Sequence, residues 1–159
     1  MSLFTRLASF VANAKEAKSS LIKARDSARQ IQKTAREARA AAVQRNQTKA
    51  DQGNADAQFI LGERYYDGLG VPRDYAESAR WFRKAADQGH SKAQCNLGIM
   101  HFLGRGVPQD YLEAYKWIEL AGRGGYPGAA KARATLIKRM TPEQIAEGQH
   151  RADEFRPPT

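Results

Sequence analysis

Cysteine is nearly absent from this chain of 159 residues, which contains Cys95 alone. One cysteine cannot form an internal disulfide, so the sequence excludes a disulfide-held secreted domain and fits a reducing compartment. We expect Cys95 to be a small, buried, apolar residue. Long apolar runs are also missing, since none approaches the roughly 18 residues that a membrane-spanning helix needs.

Acidic residues are scarce in the first third of the chain, and proline and glycine do not occur before Gly53. Residues 1–50 hold 11 Lys and Arg but 3 Asp and Glu, whereas residues 51–159 hold 15 and 14. The high pI of about 9.9 therefore arises mainly from the N-terminal segment, and the rest of the chain is nearly neutral. This break in composition predicts a boundary near Ala50.

The strongest pattern in the sequence is an internal repeat with a period of 36 residues. The stretch "DGLGVPRDY" at Asp67–Tyr75 returns as "LGRGVPQDY" at Leu103–Tyr111, and the same shift aligns fourteen identical residues. A fixed period of this length is typical of stacked repeat units. The structural motif predicted for the repeat is Gly62, Gly68, Gly70, Pro72, Asp74 and Trp81, followed by Gly98, Gly104, Gly106, Pro108, Asp110 and Trp117.

The repeat divides the chain into three segments. A second shift carries Gly89 to Gly125 and Ala93 to Ala129 and then fades, so half of a third copy follows the second. The predicted segments are a basic helix at 1–49, an array at 50–140 with repeats at about 53–88 and 89–124 and a half repeat at 125–140, and a C-terminal capping helix and tail at 141–159.

Each repeat is predicted to be a pair of helices. Leu61 and Tyr65 lie four residues apart, on a helical stripe that we expect to face the second helix of the pair. The first helix should end at Gly68, and Asp74 can cap the second, with Glu77 at capping-box spacing. One pair cannot bury its own apolar face, but stacked pairs can. The sequence predicts an all-α fold, a short α/α solenoid preceded by a long basic amphipathic helix.

Two glycines inside the predicted first helices oppose helix formation. Gly62 and Gly98 each cost about 1 kcal/mol relative to alanine. A glycine is expected at such a place where a neighbouring helix must approach closely.

The repeated residues resemble a known family. The stretches "ADAQFILGERYYDGLGVPRDYAESARWFRKAADQG" and "SKAQCNLGIMHFLGRGVPQDYLEAYKWIELAGRGG" are similar to Sel-one-like repeats (SLR), relatives of the tetratricopeptide repeat with a longer inter-helix loop. The second copy departs at His101, which replaces a tyrosine, and at Gly122, which replaces an alanine. The resemblance implies a non-enzymatic interaction scaffold, commonly bacterial, that presents a concave surface to another protein.

The C-terminal stretch "MTPEQIAEGQHRADEF" resembles the terminal helix that often closes such proteins. Thr141 can cap a helix that begins at Pro142, with Gln144 three residues further on. We therefore predict a capping box at this helix start.

The N-terminal segment has a heptad pattern of small apolar residues. With position a at Leu7, all twelve a and d positions from Leu3 to Ala42 are apolar, and seven are alanine. A continuous helix over this span would be about 60 Å long. Such a seam permits close approach of another helix but buries little surface. Its larger residues are Leu3, Leu7, Phe10, Leu21 and Ile31.

The sequence leaves four roles open for this helix. It could associate with a second copy through residues 3–42, or dock on another protein or on the repeats. It could adsorb to an anionic membrane through the apolar tip at 3–11 and the cations that follow. Nucleic-acid binding is disfavoured, because Phe4 and Phe10 are the only aromatic residues of this segment and it contains no RNA- or DNA-binding motif. The fourth role is a solvated helix whose charges keep it in solution.

Residues that commonly carry catalysis are sparse. Three histidines without HExxH, and a single cysteine, argue against a zinc site. Cys95 and His101 lie six apart on one predicted helix and face different directions, so they cannot pair as nucleophile and base. Glu143 and Glu147 share a helical face but are expected on the solvated surface. We expect no enzyme, no cofactor and no metal.

Partner binding is expected on the first helices of the repeats, which line the inner surface of a stacked solenoid. Phe59 and Cys95 lie on the side away from the second helix and are expected to pack between repeats. The patch predicted to face a protein partner of unknown identity is Glu63, Tyr66, Ile99 and Phe102.

The first residues do not form a convincing secretory signal. Arg6 precedes "LASFVANA", but this apolar stretch spans only about eight residues and is interrupted by Ser9 and Asn13. The sequence favours a cytoplasmic location, with membrane-peripheral association as the alternative, over export.

Overall fold

The computed structural model describes residues 3–157, with side chains at residue 10 and from residue 13 onward. About 80% of the chain is helical and the described part contains no strand, which confirms the all-α prediction. No helix in this part is both long and apolar enough to cross a membrane. The helices are α1 (Leu3–Asp51), α2 (Ala55–Asp67), α3 (Tyr75–Asp87), α4 (Ser91–Leu103), α5 (Tyr111–Arg123), α6 (Gly128–Leu136) and α7 (Pro142–Glu154), with a 3-10 turn at Ile137–Arg139.

The chain separates into two compact units, Met1–Arg39 and Ala40–Thr159. Helix α1 continues to Asp51, beyond the heptad pattern, which ends at Ala42. The extension has a packing reason within the second unit. Ala50 is buried with Leu61 and Trp81, so the end of α1 covers the first repeat as a preceding repeat would.

The two repeats form matching hairpins, α2 with α3 and α4 with α5. Gly68 and Gly104 end the first helices in the left-handed conformation, with φ of 74° and 64°. Asp74 and Asp110 cap the second helices, each accepting two backbone N–H bonds at 2.8 to 3.0 Å. The predicted turn between the helices is confirmed at each of these positions.

The capping-box spacing predicted at the second helices is used only in part. The side chain of Glu77 binds Arg80 and that of Glu113 binds Lys116, so neither returns to the backbone N–H of the capping aspartate. By contrast, the box predicted at α7 is complete. The hydroxyl of Thr141 accepts from the N–H of Gln144 at 3.3 Å, whose side chain accepts from the N–H of Thr141 at 2.9 Å.

One buried hydrogen bond between consecutive helices occurs twice in the stack. The buried amide of Gln58 donates to the carbonyl of Ala50 at 3.1 Å, and that of Gln94 donates to the carbonyl of Ala86 at 3.1 Å. Each bond ties the first helix of a repeat to the end of the helix before it. Because both amides are buried, losing either carbonyl would leave an unpaired polar group in the core.

The glycines inside the first helices lie at close helix contacts, as predicted. A Cβ built at Gly98 would be 2.9 Å from the carbonyl oxygen of Ala114 and 2.7 Å from Cγ1 of Ile118. At Gly62 it would overlap the ring of Phe82. Helices α4 and α5 therefore approach each other at a distance that only glycine permits.

Candidate functional site

Helices α2, α4 and α6 lie side by side and line two adjoining cavities. The first, the α2–α4 cavity, has a volume of about 210 Å³; the second, the α4–α6 cleft, has about 360 Å³. Ile99 lines both, so the two cavities adjoin at this residue, and together we call them the groove. The α2–α4 cavity is lined by Glu63, Tyr66, Asp67, Phe82, Asn96, Ile99 and Met100, and the α4–α6 cleft by Ile99, Phe102, Leu103, Ile118, Gly128, Lys131, Ala132 and Thr135.

The α2–α4 cavity contains three of the four residues predicted to face a partner. Glu63, Tyr66 and Ile99 meet there, and the fourth, Phe102, lies in the adjoining cleft. Partial burial raises the pKa of the Glu63 carboxyl, and repulsion from Asp67 raises it further, against the opposing effect of Lys92. The cavity therefore holds two neighbouring carboxylates that favour a positively charged group.

Tyr66 has a structural role as well as a place in the cavity wall. Its ring packs edge-on against Tyr75 with centroids 5.1 Å apart, and its hydroxyl accepts a hydrogen bond from Nη1 of Arg105 at 2.6 Å. Arg105 belongs to the loop of the second repeat, so this contact joins the two repeats. The side chain of Tyr66 is thereby held in one position beside Glu63.

The α4–α6 cleft is almost wholly apolar. Phe102 is half-buried against Tyr111, with ring centroids 5.8 Å apart, while Leu103 is 44% exposed at the edge. Lys131 of α6 provides an exposed cation at the far side. A cleft of this kind can bury an apolar side chain of a partner. Burial of apolar surface usually makes the largest favourable contribution to the free energy of protein association.

The contribution of α6 was missed by the sequence reasoning, which placed the patch on the first helices of the two full repeats. Lys131, Ala132 and Thr135 lie 36 residues after Cys95, Asn96 and Ile99. The same shift that carries Gly89 to Gly125 therefore marks α6 as a third inner helix. Extending the shift through the half repeat would have found these three residues.

Phe59 and Cys95 pack between helices, as expected. Phe59 stacks on His90 with centroids 4.6 Å apart. Cys95 is buried against α5 and α6, and burial raises the pKa of its thiol to about 11. Cys95 is therefore a neutral core residue at physiological pH, as the single-cysteine composition suggested.

The described residues bring together no group of three His, Cys, Asp or Glu side chains able to hold a metal ion. His101 is buried, and desolvation lowers the pKa of its imidazole, with a further lowering by Arg83. Its Nδ1 lies 3.4 Å from the carbonyl oxygen of Pro108 and its Nε2 lies 3.3 Å from Nη2 of Arg83. A neutral ring that donates from Nδ1 and accepts at Nε2 satisfies both partners.

The seam of α1 is exposed wherever its larger side chains are described. Phe10 is 75%, Leu21 72% and Ile31 69% exposed. The side chains of the other two predicted seam residues, Leu3 and Leu7, lie outside the described residues. The described seam therefore presents large apolar groups to solvent.

Comparison with known proteins identifies the repeats. The family model described as Sel1 repeat matches residues 55–90 and 91–126, with the predicted period and boundaries two residues further along than expected. None of the curated proteins matches the chain. The chain carries two Sel1 repeats and is a helical-repeat protein of the SLR type, as the repeated motif indicated.

Two solved structures share this fold. One is c5321, a protective antigen present in uropathogenic Escherichia coli strains that displays an SLR fold; it is 33% identical over 72% of this chain, with a TM-score of 0.70. Another is a Sel1 repeat protein from Oxalobacter formigenes, 34% identical over 63% of this chain, with a TM-score of 0.60. This chain covers 25% of the first protein and 41% of the second. Sel1 repeat proteins are generally non-catalytic scaffolds that bind protein partners.

Proposed function

We propose that this protein is a non-enzymatic adaptor that binds a protein partner through the groove formed by α2, α4 and α6. The observation that carries the proposal is the position of Ile99, which lines both an acidic cavity and an apolar cleft. Protein-binding sites typically combine an apolar anchor with polar groups that set orientation. The groove offers both within one side of the repeat array.

The chemistry of the groove indicates what the partner segment carries. An apolar side chain fits the cleft between Phe102 and Leu103. A lysine or arginine of the partner, placed beside Glu63 and Asp67, would counter the burial and the repulsion from Asp67 that raise the pKa of Glu63. The partner segment is therefore a peptide with an apolar residue and a nearby cation.

The groove is built on helices and held by contacts between the repeats. The hydrogen bond between Arg105 and Tyr66 fixes one wall, and the close contact of Gly98 with α5 fixes the position of α4. Side chains held on packed helices lose little conformational entropy on binding. The array therefore supplies a preorganised surface although it contains only two full repeats.

The proposal is tested by placing a photo-crosslinking amino acid at position 99 of the full-length protein in its native host. We expect a discrete adduct with one protein, and no such adduct from a crosslinker at Ala146, which is exposed on α7. Adding Glu63→Lys should abolish the adduct, whereas Glu143→Lys, a charge reversal on α7, should leave it unchanged. Equal adducts from positions 99 and 146 would contradict binding in the groove.

A further inference from the structure

Helix α1 carries a line of cations along one side. Between residues 13 and 41, eight positions follow one another at spacings of three or four residues, which keeps them on one side of a helix over about 36 Å. None of the eight is acidic, and all are exposed. These positions, which we call the basic stripe, are Lys15, Lys18, Ile22, Arg25, Arg29, Gln32, Arg36 and Arg39.

The large apolar residues of this helix lie on the same half as the basic stripe. Ile22 is within the stripe, and the exposed seam residues Leu21 and Ile31 belong to the heptad positions beside it. This half holds six cations and no anion between residues 13 and 41. The opposite half holds the remaining charges, two cations and three anions: Lys23, Lys33, Glu16, Asp26 and Glu37.

The stripe cations are available for an external anion. In the described part of α1, Lys33 and Glu37 form an ion pair at 4.0 Å, and both residues lie on the opposite half. No described carboxylate lies within 4 Å of a stripe cation. The helix thus keeps its carboxylates away from the side where its cations and apolar residues are concentrated.

We propose that this half of α1 adsorbs along the surface of an anionic lipid membrane. A flat surface can contact the stripe and the apolar seam at once, so Leu21, Ile22 and Ile31 enter the interface while the cations reach lipid phosphates. Each lysine or arginine near an anionic bilayer strengthens binding roughly fivefold. The inference goes beyond groove binding, since it concerns a different surface of the chain.

A partner helix fits this half less well. A partner helix packed on the seam contacts heptad positions a and d and the flanking positions e and g. Lys15, Arg29 and Arg36 lie at position b, beyond the flank at e. The other flank carries uncharged residues such as Ser20 and Ser27. Half of the stripe cations would then have no role in the contact.

A nucleic acid would also use this half incompletely. Phosphates would pair with the cations but would leave the large apolar residues without a binding partner. The interleaving of Ile22 with Lys18 and Arg25 instead matches an interface that is charged at its surface and apolar just beneath. The lipid surface is the occupant that uses both kinds of residue.

Co-sedimentation of the full-length protein with vesicles tests the proposal. Vesicles of phosphatidylglycerol and phosphatidylcholine in equal parts should carry the protein down, and vesicles of phosphatidylcholine alone should not. The double variant Lys15→Gln, Lys18→Gln should bind the mixed vesicles about thirtyfold more weakly. The matched control Lys23→Gln, Lys33→Gln removes the same charge from the opposite half and should stay within a few-fold of the parent.

Circular dichroism of both double variants establishes that α1 remains helical, so that a loss of binding is not a loss of structure. Absence of binding to the mixed vesicles, equal binding to both vesicle types, or equal weakening in the two variants would overturn the proposal. Retention on immobilised poly-glutamate without binding to vesicles would assign the basic stripe to an acidic protein instead.

Discussion

Oε2 of Glu113 accepts a hydrogen bond from Nε1 of Trp117 at 3.2 Å. The equivalent pair in the first repeat has no such bond, since Glu77 binds Nη2 of Arg80 at 2.8 Å and the buried Nε1 of Trp81 has no partner. The two copies of one motif therefore differ in whether the buried indole N–H has a hydrogen-bond partner. Both repeats have the same spacing of glutamate and tryptophan, but only in the second does the glutamate bind the indole.

Glu113 should matter more to stability than Glu77. Its carboxylate also binds Nζ of Lys116 at 2.7 Å, so Glu113→Ala leaves a buried indole N–H and a half-buried cation unpaired. We expect Glu113→Ala to lower the free energy of unfolding by about 2 kcal/mol and Glu77→Ala by less than about 0.5 kcal/mol. Urea denaturation of the two variants measures the difference, and equal losses would contradict it.

Two glycines in helices should respond to alanine with opposite signs. A Cβ at Gly98 would be 2.9 Å from a backbone oxygen of α5, whereas a Cβ at Gly122 would meet only the Cβ of Ala129 at 3.7 Å. We expect Gly98→Ala to cost about 2 kcal/mol through overpacking and Gly122→Ala to gain about 0.5 kcal/mol through helix propensity. Thermal or urea unfolding of both variants decides the matter, and a stabilising Gly98→Ala would show that α4 and α5 can separate at low cost.

The loop of the second repeat should be intolerant of a side chain at Gly106. This residue has a φ of +69°, and a Cβ there would overlap the backbone of Tyr75 and lie 2.6 Å from the N of Ala76. Gly89 has a φ of +84° with open space around it. We expect Gly89→Ala to cost about 1 kcal/mol, the backbone cost alone, and Gly106→Ala to cost at least about twice that. Similar unfolding midpoints for the two variants would argue against a close loop contact.

Protonation of His101 should destabilise the fold. Burial lowers the pKa of this imidazole, while the same ring in the unfolded chain takes up a proton near pH 6.5. The unfolded state therefore binds more protons below that pH, so this contribution to stability is present above about pH 6.5 and is lost as the pH falls. Arg83 faces Nε2 and disfavours the charged ring, whereas Asp110 and Glu113 partly offset this effect.

His101→Tyr, which restores the residue found at Tyr65 in the first repeat, should remove that part of the pH dependence. Free energies of unfolding at pH 7.5 and 5.5 would be compared for the parent and the variant, with the same substitution at the exposed His150 as control. A parent and a variant with the same pH dependence would mean that His101 is protonated equally in both states.

The repeat turn was predictable from the sequence because each residue has a local reason. Gly68 supplies a left-handed helix end and Asp74 a helix cap, and both reasons act over a few residues. Packing between distant residues gave no such local signal. The bond from Arg105 to Tyr66 spans 39 positions, so a residue predicted to face a partner is also a contact between repeats.

The packed end of α1 and the contribution of α6 to the groove both lie beyond the patterns that are clear in the sequence. Helix α1 extends to Asp51 because Ala50 packs on Leu61, a contact that the heptad pattern ending at Ala42 does not contain. Likewise α6 joins the groove through Lys131 and Thr135, although the sequence match to the repeat has faded there. In this half repeat the helix is kept although most of its side chains differ from those of the full repeats.

The central claim, that a protein partner binds in the groove, is tested most directly by the affinity of the partner captured at position 99. Leu103 and Ile137 are 44% and 39% exposed, but only Leu103 lines the cleft. In a calorimetric titration, Leu103→Glu should raise the dissociation constant by about tenfold or more. Ile137→Glu should change it by less than about twofold. Equal affinities for the parent and Leu103→Glu would contradict binding in the groove.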